Sequence, residues 1–142
     1  MEFRTLTSDS YDAVVALWKN AGLSFRPNGR DKRERVEIEM SDPHCRFIGL
    51  FDGDRMIGVV IANYTFRRAW IERLAVDPEY RGRGLAGQLI AEAERFLNDK
   101  GALVISALIE ETNDPSIHAF TKAGYAVLDE IKYYSKRPFP DA

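Results

Sequence analysis

A chain of 142 residues is long enough to bury one core but short for two, so residues 1–142 are expected to fold as a single domain. With 45% apolar and 30% charged residues it reads as globular, and no apolar run approaches the roughly 20 residues that cross a bilayer. A formal net charge of -2 gives no broad attraction to nucleic acid, and Cys45 has no second cysteine to pair with; together with the absence of a secretory pattern in MEFRTLTSDS this predicts a cytoplasmic location.

In chain order, the alternation in Glu2 to Leu6 predicts a short edge strand. Ser8, Asp9 or Ser10 can cap a helix whose apolar positions Val14, Val15, Leu17 and Trp18 recur at helical spacing up to Ala21-Gly22. Leu23 to Gly29 reads as a loop, and Asp31 to Met40 as a charged surface helix with a thin apolar stripe at Val36 and Met40. The basic residues from Arg26 to Arg35 alternate with Asp31, Glu34, Glu37 and Glu39, and a hydrated face is the simpler account of that run.

Arg46 to Phe51 and Arg55 to Tyr64 are β-rich runs on either side of Asp52-Gly53-Asp54, a hairpin signal. The run MIGVVIANY is apolar enough to be covered on both faces, and Trp70 to Val76 makes the third strand of a meander. Arg67 and Arg68, in the loop before it, either stay hydrated or meet an acidic acceptor. Leu85, Ala86, Leu89, Ile90, Ala93, Phe96 and Leu97 then mark a long amphipathic helix that begins near Gly82 and ends at Gly101. Leu103 to Ile109 is expected as a buried strand parallel to the third, with Asp114-Pro115 opening a short helix that stops at Gly124. Tyr125 to Leu128 and Ile131 to Ser135 read as a terminal strand pair, completing an α/β domain with a mixed sheet.

The stretch WIERLAVDPEYRGRGLAG, from Trp70 to Gly87, carries the chemistry. Glycines at a helix start leave the first N–H groups uncovered where the helix dipole is positive, which suits phosphate. Gly82, Gly84 and Gly87 alone satisfy the G-x-G-x-x-G pattern of dinucleotide oxidoreductases, with Glu110 or Glu111 as the ribose-binding acid. In that fold, however, the strand feeds directly into the first glycine, whereas Asp77-Pro78-Glu79-Tyr80-Arg81 intervenes here.

Read with that turn, VDPEYRGRGLAGQLI resembles motif A of the GNAT N-acyltransferase superfamily: Arg or Gln, two residues, Gly, one residue, then Gly or Ala, filled by Arg81, Gly84 and Ala86. Asn113 followed eleven and twelve residues on by Gly124-Tyr125 matches the family's ending, and small members related to the ribosomal-protein alanine acetyltransferases look most similar. The resemblance implies a GNAT-like central sheet, mixed but mostly antiparallel, flanked by helices and with a splayed strand pair at the cofactor slot. It further implies acetyl-CoA as cofactor. The backbone amides of Gly82, Arg83, Gly84, Leu85, Ala86 and Gly87 would hold the pyrophosphate, with Arg81 and Arg83 adding charge at the rim, and the backbone of Leu74, Ala75 and Val76 would pair with the pantetheine arm. Asn113 and Phe120 would approach the cofactor from the following loop and helix.

Amine acylation needs a base to take the proton of an ammonium and some stabilisation of the departing thiolate. The family's acid is often a tyrosine seven residues after the asparagine, which here is Phe120; a strand-end glutamate five before it is here Leu108. Glu72, in the middle of an apolar strand, is the candidate base, its alternative being an ion pair with Arg73 or a solvent-facing residue. Tyr125 is the candidate acid, its alternative a core aromatic with a bonded hydroxyl. Tyr133 and Tyr134 face opposite sides of the last expected strand, so that one looks toward the acceptor, the simpler alternative being packing. His44 and Cys45 are adjacent and lack further ligands at metal spacing, so no metal is expected. The reading is an N-acyltransferase acting on a small-molecule or peptide amine by direct attack, as monomer or homodimer; the alternative is a non-enzymatic acyl-CoA sensor.

Overall fold

The computed structural model describes residues 1–142. One five-stranded sheet runs in the order β1 (Glu2–Thr5), β2 (Cys45–Asp52), β3 (Arg55–Tyr64), β4 (Ala69–Val76) and β5 (Ile105–Ser106), antiparallel except for the parallel β4–β5 pair. The Asp52-Gly53 turn, with Gly53 at φ +61°, closes the β2–β3 hairpin as the sequence predicts. Because β3 is covered on both sides, every residue from Ile57 to Ala62 is either glycine or a buried apolar side chain.

Each face of the sheet has its own core. α1 (Tyr11–Asn20) and α2 (Arg33–Ser41) cover one face, where Val14, Trp18 and Val36 pack on Phe47, Val59 and Ile61. α3 (Leu85–Lys100) covers the other, setting Leu89, Ile90, Ala93 and Leu97 on Ile48, Val60 and Ile71. Burial of side chains such as Leu89 and Ile90 contributes about 1.5–3 kcal/mol each. α3 starts at Leu85 with Gly84 as a left-handed N-cap, three residues later than Gly82, and ends on Gly101.

Three sequence readings change. The Leu103–Ile109 strand reduces to two paired residues, because only Ile105, Ala107 and Ile109 pack on the α3 core while Leu103 stands 96% exposed with nothing over it. The N-cap of α4 (Asp114–Lys122) is Asn113 rather than Asp114: its side-chain oxygen accepts from Ser116 N at 3.2 Å. The terminal strand pair does not form. With β5 so short, its outer edge offers no ladder to extend, and an isolated pair of strands is marginal in water. Between Ala126 and Arg137 the only backbone amide with a backbone acceptor is that of Ile131, in a turn to Leu128. Tyr133 and Tyr134 are both exposed on this tail.

Candidate active site

The glycine loop is held from below. Asp77, 4% exposed, caps the turn by accepting from Glu79 N at 2.9 Å and binds Arg55 Nη2 at 2.7 Å, while Tyr80 donates to Asp52 at 2.8 Å. From this fixed turn the chain passes through Gly82 and Gly84 at φ +79° and +73°, values that glycine adopts without a Cβ penalty. As a result the six consecutive amides from Gly82 to Gly87 donate to no backbone or side-chain acceptor, the next amide, Gln88 N, returning to Gly84 O. A Cβ added at Gly82, Gly84 or Gly87 would meet no atom within 4 Å, so the row is open as well as unpaired. A diphosphate fits these donors at the positive end of a 16-residue helix. Arg83 lies over the Tyr80 ring at 4.8 Å and Arg81 reaches Ala21 O at 3.4 Å, both close to the row.

The adjoining slot comes from an irregularity in β4. Opposite β3 the register runs Ile61↔Glu72 and then Val59↔Ala75, so β4 carries one residue more than its partner over that span. The extra residue is taken up at Arg73, a non-glycine at φ +54°. Such a conformation costs roughly 1–2 kcal/mol and a bulge of this kind bends its strand. β4 and β5 accordingly pair only at Ala69↔Ile105 and Trp70↔Ser106 and then diverge around a cavity of about 310 Å³. Ile71, Arg73 and Leu74 line one wall, Ala107 to Glu110 the other, with Thr112, Asn113, Pro115, Ser116 and Phe120 at the α4 end and Ala21 to Ser24 and Arg81 closing it.

Among the expected cofactor residues, Leu74, Arg81, Asn113 and Phe120 line this cavity. Leu85 is buried as the first anchor of α3, Ala86 is half-buried and Arg83 is exposed. Ala75 turns into the α1 core and Val76 toward α3, so only their backbone is available to a neighbour on the open edge of β4. Arg73 is a lining residue that sequence reasoning did not place in the site, whereas Ser24 belongs to the Leu23 to Arg30 loop expected to shape the acceptor site, and Glu110, weighed only as a ribose-binding acid, lines the slot. For Arg73 a signal was present, since apolar Ile71 and Leu74 are spaced by three rather than two.

The bulge also sets the electrostatics. Ile71 and Leu74 both pack on the α3 side, so Glu72 and Arg73 both face α1 and α2. Burial pushes the Glu72 carboxyl above its ordinary value, opposed by Asn63, Arg30 and Arg73. It makes no salt bridge with Arg73, whose guanidinium lies over Trp18 at 4.3 Å and approaches Asp31 at 3.8 Å. Glu39 of α2 faces Glu72: burial, then the Glu72 charge, then Asp31 push its carboxyl up to about 7. Cys45, opposite Asn63 in the ladder, is pushed up to about 12 by burial and the same two glutamates, which leaves its thiol protonated and unsuited to nucleophilic work. Glu72 itself lies behind the cavity wall rather than in its lining.

Tyr125 is committed elsewhere. Its hydroxyl donates to Glu94 at 2.9 Å and its ring meets Phe120 edge-on at 5.1 Å, and burial with the Glu94 contact raises its pKa.

The chain matches the acetyltransferase (GNAT) family profile over residues 12–125. It is 32% identical over 132 residues to an acetyltransferase of Pectobacterium atrosepticum, covering 92% of each chain, and 30% identical over 142 residues to one of Sodalis glossinidius, covering 99% of this chain and 98% of the other. Among solved structures it resembles the PaiA N-acetyltransferase of Thermoplasma acidophilum in complex with coenzyme A, with a TM-score of 0.80 at 20% identity over 92% of both chains. It also resembles the aminoglycoside N-acetyltransferase AAC(6')-Iy in complex with CoA, with a TM-score of 0.76 at 21% identity over 96% of this chain and 94% of that one. An antiparallel meander followed by a glycine loop is incompatible with a doubly wound dinucleotide fold, and the profile and relatives agree with it: the chain belongs to the acetyltransferase (GNAT) family.

Proposed function

We propose that the protein moves an acetyl group from acetyl-CoA to a primary amine of a small molecule or peptide, by direct attack within a ternary complex. The observation that carries this reading is the row of six unpaired amides at Gly82–Gly87, set beside a slot between two diverging strands. In it the row and Arg81 hold the pyrophosphate, the free edge of Leu74, Ala75 and Val76 aligns the pantetheine arm, and Asn113 and Phe120 close over it. Acetyl-CoA supplies the activated thioester carbon: the amine nitrogen bonds to that carbon, the carbon–sulfur bond breaks, and CoA leaves as thiolate.

The amine arrives as an ammonium, and Glu72 takes its proton through a bridging water, as its place behind the cavity wall requires. Burial raises the proton affinity of that carboxylate, as suits a base, and Asn63, Arg30 and Arg73 oppose the shift. A thiolate leaves without help more readily than an alkoxide, since thiols ionise near 8.5. Tyr125 is the candidate acid, acting only if it exchanges its bond to Glu94 for the leaving sulfur.

Release of free CoA thiol with a panel of amines and peptide N-termini tests the reading. A non-enzymatic acyl-CoA sensor is favoured by Phe120 and Leu108, which stand where the family resemblance would place an acid and a base, and predicts CoA binding without turnover. CoA at 100 times its dissociation constant should stabilise the fold by about 2.7 kcal/mol. Stabilisation by NAD and not CoA overturns both.

A further inference from the structure

Within the cavity lining there are two guanidinium groups, and the transferase reading uses only one, Arg81, for phosphate. The other, Arg73, is brought there by the bulge at a cost in backbone strain. Its surroundings are rich in basic groups. Arg73 Nη2 donates to Ser24 O at 2.5 Å, and Arg26 Nη1 donates to Ser24 Oγ at 2.7 Å, so two guanidinium groups converge on one residue of the cavity wall. The nearest carboxylate, Asp31, is 3.8 Å from Arg73, and the same Oδ2 already accepts the Arg26 backbone amide at 2.9 Å. The Nε atoms of Arg26 and Arg73 are both buried and donate to nothing, two of only four orphaned side-chain atoms in the protein.

Buried N–H donors without a partner are rare because each has given up water for nothing. These two Nε atoms lie under protein, so what Arg73 presents to the cavity is its outer edge, where Nη1 carries no bond, while Arg26 sits behind Ser24 and outside the lining. A carboxylate suits that edge, since its planar pair of oxygens matches guanidinium N–H groups and the bond is charge-assisted. Arg30 adds positive charge from the same loop, although its Nε is occupied by Ala142 O at 3.2 Å. The acids that face the group are Asp31, already bonded, Glu110 across the slot, and Glu72, which the proposed mechanism assigns to the amine. Glu72 and Arg73 are consecutive, and the bulge turns both onto one face; a plain strand would separate them.

We infer that the acceptor amine carries a carboxylate close to its nitrogen, as an α-amino acid does, with the outer edge of Arg73 binding the carboxylate and Arg26 adding positive charge from behind Ser24, while Glu72 receives the ammonium. This rests on the transferase reading and narrows its acceptor. It separates this chain from enzymes whose acceptors are polycations, for which a pair of arginines at the acceptor mouth would be repulsive.

The test compares alanine, serine and glutamate with their α-amides and decarboxylated amines, at equal free-base concentration, by CoA thiol release and by the added melting shift on CoA-loaded protein. The wild type should favour the acids at least tenfold in kcat/KM. Arg73→Gln should collapse that ratio toward one, Arg26→Gln should lower it by a smaller factor, and Arg73→Lys should keep part of it. Equal or better turnover of the decarboxylated amines or of putrescine, or an unchanged ratio in both variants, overturns the inference while leaving a transferase. If no amine releases thiol although CoA binds, the transferase reading fails. The melting arm then decides: an added shift with the acids alone, lost in Arg73→Gln, supports the carboxylate site, and equal shifts for acid and amide overturn it.

Discussion

Glu39 holds its proton to about pH 7 in the fold, mainly through burial and then through the charge on Glu72, against an ordinary value of 4.5. A carboxyl with a raised pKa binds more protons folded than unfolded, so its contribution is intact below about 4.5 and is lost as the pH climbs to about 7. The loss is on the order of 1–2 kcal/mol once the part of the carboxylate still in water is allowed for. Glu39→Gln should therefore melt about 3–6 °C above the wild type at pH 8 and show no such gain at pH 4.5, read by thermal melts across that range. An identical difference at both ends would exclude this origin. For Glu72, Glu72→Gln should lower kcat by a factor of about 100 to 10,000 while the CoA-induced melting shift persists. Unchanged turnover would remove Glu72 from the chemistry.

At the level of elements, the α3 start and its loop act as one device. Gly84→Ala places a Cβ where no atom collides, so its effect is backbone strain at φ +73°, about 1–2 kcal/mol of stability. The methyl group also projects into the open space beside the amide row, and CoA affinity measured by calorimetry should fall at least tenfold. If affinity holds, the row is not the phosphate cradle. These elements were legible because their signals are local. The period of Leu85 to Leu97 reports one apolar face, and Asp52-Gly53 reports a turn that few other pairs can make. The β4 bulge was not read, because no glycine marks it and Arg73 takes an unfavourable conformation that only the surrounding sheet enforces. Nor was the approach of Glu39 to Glu72, since it depends on how α2 lies on the sheet, against β2. The same dependence hid the convergence of Arg26 and Arg73 on Ser24: in sequence Arg26 is one of a run of alternating charges, and only the packed loop shows it half-buried.

Across the whole molecule, order should decline from the centre of the sheet outward. β3 is buried on both faces and flanked by ladders, whereas the stretch from Ala126 to Arg137 has almost no backbone partners and carries Val127, Ile131 and Tyr134 exposed. Amide exchange should be slowest in β2, β3 and α3, and fast from 126 to 137. Adding CoA should slow exchange at Gly82–Gly87 and along the free edge of β4 and leave the tail unchanged. The tail was misread from sequence for a reason at this same scale: its alternation is that of strands, but a strand needs an edge to join, and β5 is two residues long.

The bulge has one further consequence, for how such a chain can change over generations. Ile71, Leu74 and Val76 point to one side and Glu72 and Ala75 to the other, so loss of Arg73 alone would leave every remaining side chain on its present side, in plain alternation. The shortened strand would lie flat against its partner, free of its strained residue, with nothing to part it from β5. A deletion of a single codon would therefore remove the strain and the bend together, at the loss of the Arg73 contacts to Trp18, Ser24 O and Asp31.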